Sequence, residues 1–126
     1  MRKVFHVDDD VDVREVVRYA LTEQSYEVVS FGSPLEALEA MTVDSVEVPG
    51  IVLVDYTMPG LNGFNFIEKM RSLKAYQNVP TVLCSAQGEF LDGSIPEDIV
   101  LLPKPMDLDE LLGLIRKHIP ESSTLG

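Results

Sequence analysis

Short apolar runs recur along this chain, and four of them stop at residues equipped for chemistry. Val4-Phe5-His6-Val7 runs into Asp8-Asp9-Asp10, and Ile51-Val52-Leu53-Val54 ends in Asp55. Thr81-Val82-Leu83-Cys84 ends in Ser85, and Ile99-Val100-Leu101-Leu102 leads to Pro103-Lys104-Pro105. Runs of this length that are apolar throughout read as strands buried on both faces. Helical patterns lie between them. Residues 11–24 read as a helix with Val13, Val16, Val17, Ala20 and Leu21 on one face, capped by Asp10 or Asp12. Residues 27–31 read as a further strand stopped by Gly32. Ser33-Pro34-Leu35-Glu36 then supplies an N-cap, a first-turn proline and a capping-box acid for a helix to about Met41. After the turn-rich stretch 56–63 come a helix over about 63–74, with Phe66, Ile67, Met70 and Leu73 apolar, and a last helix over about 107–119. In the last helix Leu108, Leu111, Leu112, Ile115 and Ile119 fall at helical spacing, with Asp107 and Glu110 as a cap pair.

Strand and helix in alternation imply an α/β fold: a five-stranded parallel sheet, doubly wound, with helices on both faces in three layers. Right-handed crossovers bring the carboxyl end of every strand to one edge. Doubly wound sheets bind their ligands there, where the strand order reverses. Asp8, Asp9, Asp55, Ser85 and Lys104 all fall at or just past that edge. Carboxylates crowded together repel one another unless a cation sits among them, and a lysine or a hard divalent ion such as Mg2+ meets that need. Carboxylates, a hydroxyl and an ammonium are an inventory for phosphoryl chemistry. Residues 86–98 hold two glycines and a proline, so the fourth helix is expected to be short or distorted.

The 126 residues suit one domain, expected over 1–120, with 121–126 as a flexible tail or the start of a linker. A net charge of −11 argues against direct binding to a nucleic-acid backbone. There is no apolar run of membrane-spanning length and no secretory pattern, so a cytoplasmic location and no membrane partner are expected. Cys84 is the single cysteine and reads as buried and inert. Asp10 and Asp12 read as capping and solvated acids, and His6 and His118 as structural or exposed. An EF-hand reading of 8–19 fails, because Val13 and Tyr19 stand where glycine and glutamate are needed.

The acid pair after the first strand, "LVDYTMPGLNG", "CSA" and "KP", in that order and each at a strand end, resemble the receiver domain of two-component response regulators over nearly the whole chain. The resemblance implies a flavodoxin-like strand order of 2-1-3-4-5. It implies Asp55 as phosphoacceptor from the phosphohistidine of a sensor histidine kinase or phosphotransfer protein, with Mg2+ held by Asp8, Asp9, Asp55 and the Thr57 carbonyl. Ser85 and Lys104 would bind phosphoryl oxygens, Thr57 and Gln87 would tune the lifetime of the acyl phosphate, and the Lys104-Pro105 bond would be cis. An unknown output domain or protein would read the switch, and a homodimer through the face of the fourth and fifth strands is compatible with it. Such a domain modifies itself and turns over no external substrate. The family usually carries Tyr or Phe three residues before the lysine, as the partner of the Ser85 position in switching; Leu101 stands there, which implies an unconventional switch. The competing readings are a degenerate receiver acting as a phosphorylation-independent interaction module, a haloacid-dehalogenase-like phosphatase and a flavin mononucleotide binder. The phosphatase wants an aspartate where Thr57 stands, and the flavin binder wants a phosphate loop after the first strand.

Overall fold

The computed structural model describes residues 2–43, 45–86 and 96–119. In chain order the elements are β1 (Lys3–Val7), α1 (Val11–Thr22), β2 (Glu27–Phe31), α2 (Pro34–Met41), β3 (Ile51–Asp55), α3 (Gly63–Arg71), a 3-10 turn (Lys74–Tyr76), β4 (Thr81–Ser85), β5 (Ile99–Pro103) and α4 (Leu108–His118). The strands form one parallel sheet in the order β2-β1-β3-β4-β5. β3 and β4 are buried at every residue, which is why they read as unbroken apolar runs rather than alternating ones. The core has two layers. On one face of the sheet Phe5, Val7, Val52, Val54 and Leu83 pack against Ala37 and Met41 of α2 and Phe66, Ile67 and Met70 of α3. On the other, Val4, Leu53, Val82, Cys84 and Leu102 pack against Val17 and Leu21 of α1 and Leu111 and Ile115 of α4. This is the three-layer, doubly wound flavodoxin-like fold. The chain winds outward in opposite directions from β1 and β3, so the crevice of the sheet lies between their carboxyl ends.

Helix starts follow local chemistry. Asp10, not Asp12, caps α1, its carboxylate accepting from the N–H groups of Asp12 and Val13. Ser33 caps α2 and Asp107 caps α4. The α2 box is displaced by one residue: Ser33 Oγ accepts from Glu36 N, but the Glu36 carboxylate reaches back to Gly32 N at 3.2 Å.

Three expectations change. Val16 is 52% exposed, because Val17 and Leu21 define the buried stripe of α1 and Val16 lies a hundred degrees around from Val17. α3 ends at Arg71 rather than near residue 74: the Ser72 and Leu73 N–H groups bond three residues back, Leu73 turns extended, and the 3-10 turn carries Tyr76 into the core. β5 runs one residue further, to Pro103, which an edge strand tolerates because only one side of it is paired. Most of the segment expected as the fourth helix (87–95), Gln87 and the tail 121–126 lie outside the described residues. No helix among the described residues is long and apolar enough to cross a membrane.

Candidate functional site

The carboxyl ends of β1 and β3 bring the acids together. Asp8 directly follows β1. Its N–H donates to the Phe31 carbonyl at 3.1 Å, which extends the β1–β2 pairing by one residue, and its own carbonyl accepts from Arg14 at 2.7 Å. The backbone is thereby fixed, and the side chain turns inward, where Oδ1 accepts the Asp10 N–H at 2.9 Å. Asp55 closes β3. Asp8 and Asp55 are 5% and 6% exposed, whereas Asp9 is open to solvent. One carboxylate oxygen from each of Asp8, Asp9 and Asp55 can be chosen so that all three lie within 4.8 Å of one another.

The loop after Asp55 is held tightly. Tyr56 N donates to the Cys84 carbonyl at 2.8 Å, and Gly63 N donates to the Tyr56 carbonyl at 2.7 Å. Gly60 takes a left-handed φ of +86° that turns the chain back, and Asn62 caps α3 through Asn65 N. α3 therefore starts directly against the end of β3. A Cβ on Gly63 would lie 2.5 Å from the Asp55 carbonyl oxygen. Thr57 sits on this loop, two residues past Asp55 and exposed.

β4 and β5 deliver the remaining groups. Ser85 is buried at the end of β4 and is in register with Pro103; its carbonyl accepts the Lys104 N–H at 3.0 Å. The Lys104-Pro105 peptide bond is cis. The Lys104 ammonium lies 2.5 Å from Asp55 Oδ1. Leu101, in register with Leu83, is 45% exposed.

The electrostatics divide the two buried acids. Burial raises the Asp55 carboxyl most; the Lys104 ammonium opposes this, but the charges of Asp8 and Asp9 add to it, and the net shift is upward. Burial also pushes Asp8 up. There the His6 imidazole, the Asp10 N–H and the more distant Lys104 charge together outweigh it, and the carboxyl is held below its ordinary value. Asp55 thus remains undercompensated despite the ammonium beside it. Hard oxygen donors with uncompensated negative charge are the donor set that suits Mg2+, and the residues fit that ion.

The sequence-derived residues Asp8, Asp9, Asp55, Ser85 and Lys104 therefore converge on one edge, with Thr57 on the adjoining loop; Gln87 lies outside the described residues. Two positions escaped the reading of the sequence. Gly63 was read as the end of a turn and the start of a helix, and neither signal shows what would press on it. His6 was read as structural or exposed. It is 1% exposed, with Nε2 3.7 Å from Asp8 Oδ2, and two-residue alternation along β1 was the signal that places the two side by side.

The sequence model of the response regulator receiver domain matches residues 4–116. A CpxR homolog from Haemophilus influenzae, described as a transcriptional regulatory protein, is 31% identical over 98% of this chain, which spans 53% of that protein. Sporulation initiation phosphotransferase F of Bacillus subtilis is 26% identical, with 96% of each chain covered. The solved structure of chemotaxis protein CheY4 from Vibrio cholerae superposes with a TM-score of 0.78 at 26% identity, covering 94% of this chain and 98% of that one. A receiver domain protein from Clostridium thermocellum, at 22% identity, shares the fold over all of both chains with a TM-score of 0.82.

Proposed function

The chain belongs to the response regulator receiver domain family, and from that premise we propose that it is a phosphoacceptor switch whose acceptor is Asp55. The carrying observation is the Lys104–Asp55 ion pair at 2.5 Å, set beside the Asp8, Asp9 and Asp55 oxygens. An Asp55 oxygen attacks the phosphorus of a phosphohistidine on a sensor histidine kinase or phosphotransfer protein. The P–N bond breaks, the leaving imidazole takes up a proton, and Asp55 becomes an acyl phosphate. Asp8, Asp9, Asp55 and the Thr57 carbonyl would hold Mg2+, which when bound would supply neutralisation of the phosphoryl oxygens. Lys104, released from its pair with the carboxylate, binds a phosphoryl oxygen from the other side, and the Ser85 hydroxyl donates to a third. Thr57 and Gln87 set how easily water reaches the acyl phosphate.

The domain acts in the cytoplasm, modifies only itself, and signals to an output domain or protein. The chain spans about half of the CpxR homolog and nearly all of the sporulation phosphotransferase, so relatives carry this unit both attached to further chain and nearly alone. A second reading, a degenerate module that binds partners without phosphorylation, is favoured by the exposed Leu101 at the position where the family usually carries an aromatic. Incubation with Mg2+ and acetyl phosphate, followed by intact-mass measurement, separates the two. One phosphoryl adduct is expected, absent from Asp55→Ala and absent when Mg2+ is chelated. No adduct on the unmodified chain would select the degenerate module, and an adduct surviving Asp55→Ala would refute the site.

A further inference from the structure

We propose that His6 is a positioning residue for the carboxylate cluster: its imidazole carries a proton on Nε2 facing Asp8, and the Ser30 hydroxyl, once its side chain turns towards the ring, donates to Nδ1 and holds that tautomer. The inference rests on the reading of Asp8, Asp9 and Asp55 as a cation site.

A histidine in the middle of a buried strand is costly unless its polar atoms are matched. An apolar side chain would fill the same space between Val4, on the same face of β1, and Asp8. At 1% exposure His6 has no access to water, and its Nε2 lies 3.7 Å from Asp8 Oδ2. That is longer than a hydrogen bond but close enough for a dipole to act on a buried carboxylate. The far side of the ring holds a second clue. Nδ1 is buried with no hydrogen-bond partner, and so is Ser30 Oγ. His6 and Ser30 are register partners in the parallel β1–β2 pair, so their side chains leave the sheet on the same face from adjacent strands. Two unmet buried polar atoms at neighbouring positions are unusual in a native core. They are also complementary: they do not bond each other as the side chains stand, but Ser30 can turn about its Cα–Cβ bond to present its hydroxyl as a donor, and an unprotonated imidazole nitrogen needs one.

The consequence reaches the site through Asp8. Its Oδ1 is already held by the Asp10 N–H at 2.9 Å. With His6 facing Oδ2, both oxygens have a neighbour that orients them, and the plane of the carboxylate is set before a cation arrives. Outer groups that orient ligating carboxylates govern affinity although they never touch the ion.

Two measurements at one fixed pH test this. In the metal-free protein, long-range 15N–1H correlations of the His6 ring are expected to show the Nε2–H tautomer, and Ser30→Ala to turn it into a mixture. By calorimetry, His6→Leu should lose about tenfold in Mg2+ affinity, whereas His6→Gln, whose amide N–H can stand where Nε2–H does, should recover most of it. An Nδ1–H or doubly protonated ring, an unchanged tautomer in Ser30→Ala, or equal Mg2+ affinity in folded His6→Leu and the unmodified chain would overturn the proposal. So would a His6→Gln protein no better than His6→Leu. Should His6→Leu fail to fold, His6→Gln and Ser30→Ala carry the test. If the unmodified chain binds no Mg2+, the cation reading falls and takes this one with it. If it binds Mg2+ and accepts the phosphoryl group while His6→Leu matches it, this inference alone is wrong.

Discussion

Asp55 is held among groups that pull its proton in opposite directions, and the balance has a consequence for stability. Its carboxyl is raised in the folded chain by burial first and then by the charges of Asp8 and Asp9, against the pull of Lys104. A carboxyl with a raised folded pKa keeps its proton more tightly folded than unfolded. As pH climbs from the unfolded value near 3.8 through the folded one, ionisation costs the folded state more, so Asp55 subtracts from stability at neutral pH. Asp8, whose carboxyl is lowered, contributes stability above its unfolded pKa and loses it as pH falls through its folded pKa. Asp55→Asn should therefore raise the melting temperature of the metal-free protein at neutral pH, by about 4 °C for each kcal/mol relieved. The loss of the Lys104 pair is already counted in that direction, because the net shift remains upward with Lys104 present. Calorimetric scans in chelator should show the gain shrinking towards zero below pH 3.8, where both side chains are neutral. A lower melting temperature for Asp55→Asn at neutral pH would mean that the ion pair outweighs burial and repulsion together.

At the scale of elements, the junction of β3 with α3 is where packing leaves least room. A Cβ at Gly63 would sit 2.5 Å from the Asp55 carbonyl oxygen, 2.8 Å from Tyr56 Cα and 2.8 Å from a methyl of Leu83. The methyl can yield, but the two backbone atoms cannot without moving the strand end that carries Asp55. Alanine would be favoured over glycine by about 1 kcal/mol on helix propensity alone. Overpacking costs about 1–3 kcal/mol, and a clash with backbone belongs at the upper end, so the steric term wins. Gly63→Ala should lose about 2 kcal/mol in urea unfolding and label more slowly with acetyl phosphate. An unchanged or higher midpoint would show that α3 can slide. Nothing local in the sequence reveals this contact, because it joins a helix start to a strand end that only the folded sheet brings together. The strands and caps were legible for the opposite reason. Ile51–Asp55 and Thr81–Ser85 are apolar because both their faces are covered, and Asp10, Ser33 and Asp107 bond to N–H groups two or three residues away. Val16 misled because helical spacing defines a stripe, while the neighbouring layer decides its width. The acids, Ser85 and Lys104 were legible because one rule, parallel strands ending on one edge, gathers them. The inward turn of His6 towards Asp8 was legible as alternation, but its meaning depends on burial that alternation does not supply.

At the scale of the whole molecule, Cys84 offers a probe of how the core layers and the acidic edge hold together. The thiol is 2% exposed in β4, between β3 and β5, and burial first, then the charges of Asp55 and Asp8, push it up to about 12 from an ordinary 9.0. Alkylation needs the thiolate, which at pH 8 is about one part in 10^4 in the folded chain and about one in ten once unfolded. The thiol is also covered by the α1 and α4 layer, so labelling proceeds through opened molecules. Cys84 is in register with Asp55, and Tyr56 N bonds to its carbonyl. An opening that frees the thiol therefore pulls at the strand end that carries the phosphoacceptor. A cation held by Asp8, Asp9 and Asp55 binds the closed form alone, and the open population falls by one plus the ratio of its concentration to Kd. At Mg2+ about one hundred times its Kd, alkylation of Cys84 should slow about a hundredfold, and Asp9→Ala should blunt the protection. Labelling at the same rate with and without saturating Mg2+ would show that β4 opens while the acidic edge stays assembled. The sheet and the site would then be separate units rather than one cooperative body.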